Sequence, residues 1–147
     1  MKMNSQTTDD ARGQRFSLLL LLCFCMILLL SGCGSETYYE LDETALAVDL
    51  LENGSFDCEL YQVKAERISD FISIDAPEKE ILCMGNGTYA DSFGIFTLAD
   101  ADAAKSALET VQTYLTDLQD SYQDYLPAEA DKIANAVVLQ KGRYVVF

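Results

Sequence analysis

The sequence predicts an α+β fold: a two-layer domain in which an antiparallel sheet of about four strands carries helices packed on one face. Three observations lead there. Ala101, Ala104, Leu108, Val111, Leu115, Leu118 and Tyr122, with Tyr125 just beyond, recur at steps of three and four, one continuous apolar helical stripe. Residues 93–98 are almost wholly apolar in both alternating sets, the pattern of a strand inside a sheet or covered by helices. Residues 136–140 and 143–147 are β-branched runs around Lys141-Gly142, a hairpin signal.

Taken in order, the chain opens with Lys2, Arg12 and Arg15 set against Asp9 and Asp10, then an uncharged apolar run over residues 16–30. A membrane-spanning helix needs about 20 apolar residues. This run has instead the length of a signal-peptide core. The charged region before it is long and carries two acids, which leaves the start open between Met1, Met3 and a later codon. Leu30-Ser31-Gly32-Cys33 follows and resembles a bacterial lipoprotein signal peptide. The resemblance implies cleavage between Gly32 and Cys33 and a diacylglycerol on the Cys33 sulfur. Two acyl chains anchor stably where one is marginal. An uncleaved N-terminal anchor is the alternative. The expected organisation is therefore a signal peptide over 1–32, a lipidated cysteine and short tether over 33–40, and a single domain over 41–147. Residues 34–37 add only about 15 Å of reach.

Residues 41–52 read as a helix, with Asp42 and Glu43 suiting the positive end of its dipole. Asn53-Gly54 ends it, with Gly54 expected as a left-handed cap. Residues 60–63 suit a short strand and 65–72 a short helix, broken at Asp75-Ala76-Pro77. Residues 80–84 form a strand, followed by turn chemistry at Gly85-Asn86-Gly87. Asn53-Gly-Ser and Asn86-Gly-Thr match the glycosylation sequon and read here as turns. Asp100 is the expected N-cap of the long helix. A coiled-coil seam fits the spacing too, but mixed Ala and Tyr along the stripe favour packing on a sheet. Pro127 suits the first turn of a helix over 128–135.

Composition narrows the function. The chain has 24 acidic and 10 basic residues, a net charge of −14, and no histidine. Without residues 1–32, which hold three bases and two acids, seven bases face 22 acids, a net −15. Such a surface offers no footprint for nucleic acid and is repelled by an anionic leaflet. The absence of histidine removes Ser-His-Asp and Cys-His catalysis and His-based zinc sites. Gly85-Asn86-Gly87 lacks the length and lysine of a phosphate loop. Asp117, Asp120 and Asp124 read as a solvated helix face rather than a glycosidase pair. Asp100 and Asp102 are followed by Ala-Lys, not by calcium ligands. No metal or other cofactor is expected.

Of five cysteines, Cys23 and Cys25 fall in the signal and Cys33 takes the lipid. Cys58 and Cys83 remain, an even pair that could form a disulfide worth about 3 kcal/mol. Two free thiols, one buried as a small hydrophobe, are the alternative. Tyr122, Tyr125 and Tyr144 are candidate interface anchors. Core-edge residues with wet hydroxyls are the plainer account.

The segment Ala90-Asp91-Ser92-Phe93-Gly94-Ile95-Phe96, then Asp100, Tyr125-Leu126-Pro127, Lys132, Asn135-Ala136-Val137-Val138, Lys141-Gly142 and Tyr144-Val145 resemble a family of small lipoproteins of Gram-positive bacteria, domain of unknown function 4358. The likeness covers roughly residues 41–147. Family members tend to carry Glu where Ser92 stands, and they run several residues past Phe147. The resemblance implies location and architecture and brings no activity. The resulting expectation is a non-catalytic binding or accessory domain, held to the extracytoplasmic face of the cell membrane by its lipid. Its partner would be an envelope protein or polymer. An envelope enzyme using carboxylates or a metal, and a solute-binding lipoprotein, are the rivals. Metabolic labelling with a palmitate analogue should tag the protein and leave a Cys33→Ser variant unlabelled; equal labelling of both would overturn the anchor.

Overall fold

The computed structural model describes residues 40–147. The expected signal peptide, the Gly32-Cys33 cleavage and lipid site and most of the tether lie outside the described residues. Those residues hold four helices and five strands: α1 (Glu43–Asn53), β1 (Tyr61–Gln62), α2 (Ala65–Ile68), β2 (Lys79–Met84), β3 (Ser92–Thr97), α3 (Ala101–Gln123), α4 (Pro127–Ala134), β4 (Leu139–Lys141) and β5 (Tyr144–Val146). The fold is α+β, as its sequence predicts. The sheet is antiparallel throughout in the order β1-β2-β3-β5-β4, with five strands rather than about four. The fifth is the two-residue β1, which pairs Tyr61 with Met84 and Gln62 with Cys83.

The helices do not share one face. Register places Ile81, Cys83, Phe93, Ile95 and Val146 on one side of the sheet, where Leu46, Ala47 and Leu50 of α1 cover them. Leu82, Phe96 and Val145 point to the other side, against Ala104, Ala107 and Val111 of α3 and Ile68, Ile72 and Ile74 around α2. The correction follows from β3 itself: both of its alternating sets are buried, so both sides need a cover. Full burial of a side chain such as Phe96 contributes about 2–3 kcal/mol.

Local chemistry sets the element ends. Asp42 caps α1, its Oδ1 accepting from the Ala45 N–H at 2.9 Å. Gly54 donates its N–H to the Leu50 carbonyl but is extended, at φ −68° and ψ 152°, not left-handed as expected. An extended residue turns the chain back so that Phe56 stacks on Phe93 at 6.1 Å; a Cβ at Gly54 would collide with the Leu50 carbonyl and the Phe56 ring. Asp100 caps α3 by accepting from the Asp102 and Ala103 N–H groups. Pro127 opens α4, which folds back on the end of α3 through Tyr122, Ala130 and Ile133. Residues 136–138 are not strand, and β4 begins only at Leu139.

One ion cluster pins α1 to the sheet. Glu43 is buried; Thr97 donates its hydroxyl to Oε1 at 2.6 Å and Lys79 donates to Oε2 at 3.0 Å. Burial alone would push this carboxyl up. Hydrogen bonds from Thr97, from its own backbone N–H and from Lys79, together with the lysine charge, outweigh burial and hold it below the usual range.

Two core positions give opposite expectations. Phe147 closes over Gly94, to which its backbone is hydrogen-bonded in both directions, and a Cβ there would meet the Phe147 and Phe96 rings. Gly94→Ala should lower the urea unfolding free energy by about 1–3 kcal/mol. The Tyr114 hydroxyl is buried without a partner among the described residues. Tyr114→Phe should leave stability unchanged or raise it by about 1 kcal/mol.

Candidate functional site

Among the described residues, a wide concavity lies at the end of the sheet where Phe93, Val146 and Phe147 form its floor. Leu46, Leu50 and Phe56 wall it from the α1 side, and Leu115, Leu118 and Ile133 from the side of α3 and α4. It encloses about 620 Å³, within the usual span of ligand sites of about 300–1,000 Å³. The cleft exists because each helical layer leans on the sheet along its length, while the strand ends between them carry no cover of their own. Its lip is apolar and open: Val137 and Leu139 are 69% and 62% exposed, the two most exposed large hydrophobic residues among those described.

A charged cluster sits in one wall. Lys132, on α4, donates through Nζ to Asp57 and Asp91, each at 2.9 Å, and lies 3.1 Å from Glu129. Glu129 also accepts from the Ala90 N–H at 2.7 Å, and the Tyr89 ring lies 5.8 Å from the ammonium. The cluster joins three segments distant in sequence: the chain before β1, the entry to β3, and α4. Desolvation pulls the Lys132 pKa down, but the bonds it donates to Asp57, Asp91 and Glu129 outweigh it and raise it well above the ordinary lysine range. The bond from Ala90 comes first among the influences on Glu129; with Lys132 it outweighs desolvation and holds that carboxyl low. A lysine so held stays charged, which suits it to fixing geometry rather than to nucleophilic attack.

Ser92 lines the same cleft and donates its hydroxyl to the Ala90 carbonyl at 3.3 Å. At this position the family resemblance leads one to expect Glu. Among the described residues no group of three or more His, Cys, Asp or Glu side chains is arranged to hold a metal ion. The three carboxylates here converge on an ammonium instead.

The described residues singled out from sequence do not gather at the cleft. Cys58 and Cys83 are both free thiols in the apolar layer under α1, as in the alternative to a disulfide. Burial pushes the Cys83 thiol up, away from the reactive thiolate. Tyr122 is buried and donates to the Gly87 carbonyl at 3.0 Å. Tyr125 lies past the end of α3 and is exposed, stacked on Tyr122 at 5.3 Å. Tyr144 is partly buried on the α1 side, its hydroxyl accepting from the Leu41 N–H at 3.2 Å. Tyr122 therefore packs as core and Tyr144 as a tie to the chain before α1; only Tyr125 presents a face to solvent. Asp117, Asp120 and Asp124 are exposed along α3, the solvated face that its period implies.

Sequence reasoning missed the cleft and its lysine. Asp57 and Asp91 stand 75 and 41 residues from Lys132, so no local spacing announces the cluster. Asp91 and Lys132 did stand among the residues that carried the family resemblance.

The comparisons agree with that resemblance. Residues 58–147 match a family model described as a domain of unknown function (DUF4358). No curated protein and no solved structure gives a significant match.

Removing the lysine tests the cluster. Lys132→Met strands the buried Asp91 carboxylate and should cost about 2–4 kcal/mol, somewhat under a fully buried pair because the lysine is partly exposed. Asp57→Asn, at an exposed carboxylate, should cost under about 1 kcal/mol. The pH dependence has a fixed sign. Glu43 and Glu129 have lowered folded-state pKa values, so their contribution is present above about 4.3 and lost as pH falls through the folded values. Unfolding midpoints measured from pH 7 to pH 3 should fall accordingly. Glu129→Gln should flatten the acid limb.

Proposed function

The chain belongs to the DUF4358 family, and from that membership we propose that it is a non-catalytic binding or accessory domain of the cell envelope, held at the outer face of the membrane by lipid on Cys33. The observation that carries this reading is the 620 Å³ cleft with apolar walls and an open apolar lip. A cleft of that make-up gains free energy by covering apolar surface, at about 25 cal/mol per Å². Exposed apolar patches on an otherwise acidic surface mark contact sites.

The charged groups beside the cleft support binding over turnover. Lys132 already holds Asp57, Asp91 and Glu129, so its charge fixes the wall instead of waiting for a substrate. Strong negative charge keeps the domain soluble and off an anionic leaflet, leaving the cleft free for a partner. In this reading the lipid supplies location, and the cleft supplies recognition.

Photo-crosslinking in living cells tests the proposal. A benzophenone amino acid at Val137 in the full chain should attach a defined envelope component, whereas the same group at Gln112, exposed on α3, should not. Identical adducts at both positions would overturn the reading.

A further inference from the structure

A second recess shares the Ala90-Asp91-Ser92 segment with the cleft. Tyr61, Phe71 and Tyr89 line it and are 59%, 43% and 38% exposed, so three half-solvated rings border one hollow. Tyr122, Met84 and Leu118 complete its walls. A cluster of exposed rings marks a contact site. The recess encloses about 400 Å³, near the small end of ligand sites, about 300–1,000 Å³, which suits a compact solute better than a polymer chain.

Charge narrows the occupant. Among the described residues no lysine or arginine lines the recess, whereas Asp91 does. Tyr61 donates its hydroxyl to Glu59 at 2.6 Å, which sets another carboxylate beside an exposed ring. Lys132 lies 5.8 Å from the Tyr89 ring, but Asp57, Asp91 and Glu129 more than balance its charge. With a net −14 on the chain, a cation is drawn here and an anion is repelled. Tyr and Phe faces hold a cation within about 6 Å of the ring centre, as Tyr89 already holds Lys132.

Hydrogen bonding narrows it further, because polar groups of the lining are engaged. Asn86 Oδ1 accepts from the Thr88 N–H and Asp91 Oδ2 from Lys132; Ser92 donates to the Ala90 carbonyl and Tyr122 to the Gly87 carbonyl. A primary ammonium is strongly hydrated and needs acceptors to replace its water. A quaternary ammonium has no N–H and is satisfied by ring faces and surrounding negative charge.

We infer that this recess binds a free quaternary ammonium solute of the choline type, its trimethylammonium head seated against Tyr61, Phe71 and Tyr89. The site is separate from the cleft and does not depend on the reading given for it.

The full chain with ring-labelled tyrosine, held in phosphatidylglycerol nanodiscs, tests this by NMR titration. Choline should shift the Tyr61 and Tyr89 ring signals saturably. Its carbon isostere, of the same shape but neutral, should bind at least about tenfold more weakly, and ethanolamine should also bind more weakly than choline. Tyr61→Leu with Phe71→Leu, both at exposed rings, should lower choline affinity about tenfold, while Tyr61→Phe should stay within about twofold. Ring signals that do not move overturn the inference, as does equal binding of the isostere or of ethanolamine, or an unchanged affinity in the double variant. Shifts caused by phosphatidylcholine vesicles and not by free choline also overturn it, and assign the recess to a lipid headgroup. Choline and its isostere are compared on the unaltered protein, so that contrast decides even where the double variant does not fold.

Discussion

The need to cover β3 on both sides governs this domain. Phe93, Ile95 and Thr97 project to one side and Phe96 to the other, and all are withdrawn from water. No two-layer arrangement can do that for a central strand. The chain therefore places α1 on one side and α3 on the other, and the sheet becomes the middle of three layers. Both covers turn acidic residues outward, Asp49 and Glu52 on α1 and Asp102, Glu109, Asp117 and Asp120 on α3. The cleft follows from the same constraint, since two helical layers leaning on a twisted sheet diverge where its strands end.

Electrostatics then fixes the geometry that packing leaves loose. Glu43 fastens α1 to the sheet at one end, and Lys132 fastens α4 to the entry of β3 at the other. Glu43 is buried and Lys132 partly so, and each is satisfied by several partners, an arrangement that contributes position more than net free energy. The carboxylates and ammonium in the cleft wall are thus occupied with one another. What remains available to a ligand is apolar surface, which is the physical basis for reading the site as one of recognition.

Much of the architecture was legible in the sequence because it rests on local periodicity. The stripe from Ala101 to Tyr122, the Asp100 cap and the Pro127 start are where their patterns put them. The both-sided apolar character of residues 93–98 already implied two covers, yet the layer count was missed. The apolar residues of α1 are spread around the helix, with Val48 and Leu51 exposed, so its buried stripe is faint. Two paired residues in β1 are too few for any period to register. The cleft was illegible for a different reason: its lysine and carboxylates meet only through tertiary folding, and its lip lies in residues 136–139, which read as the start of a strand. The composition that excluded histidine chemistry was informative about what the site is not, and silent about what it holds.

The tie between Leu41 and Tyr144 and the Glu43 contact with Thr97 and Lys79 hold the first turn of α1 to strand ends at one edge of the domain. Beneath α1 lie Cys83 and Phe93. α3 keeps separate contacts with the opposite side of the sheet. Lifting α1 alone would therefore bare a hidden thiol while leaving the second cover in place.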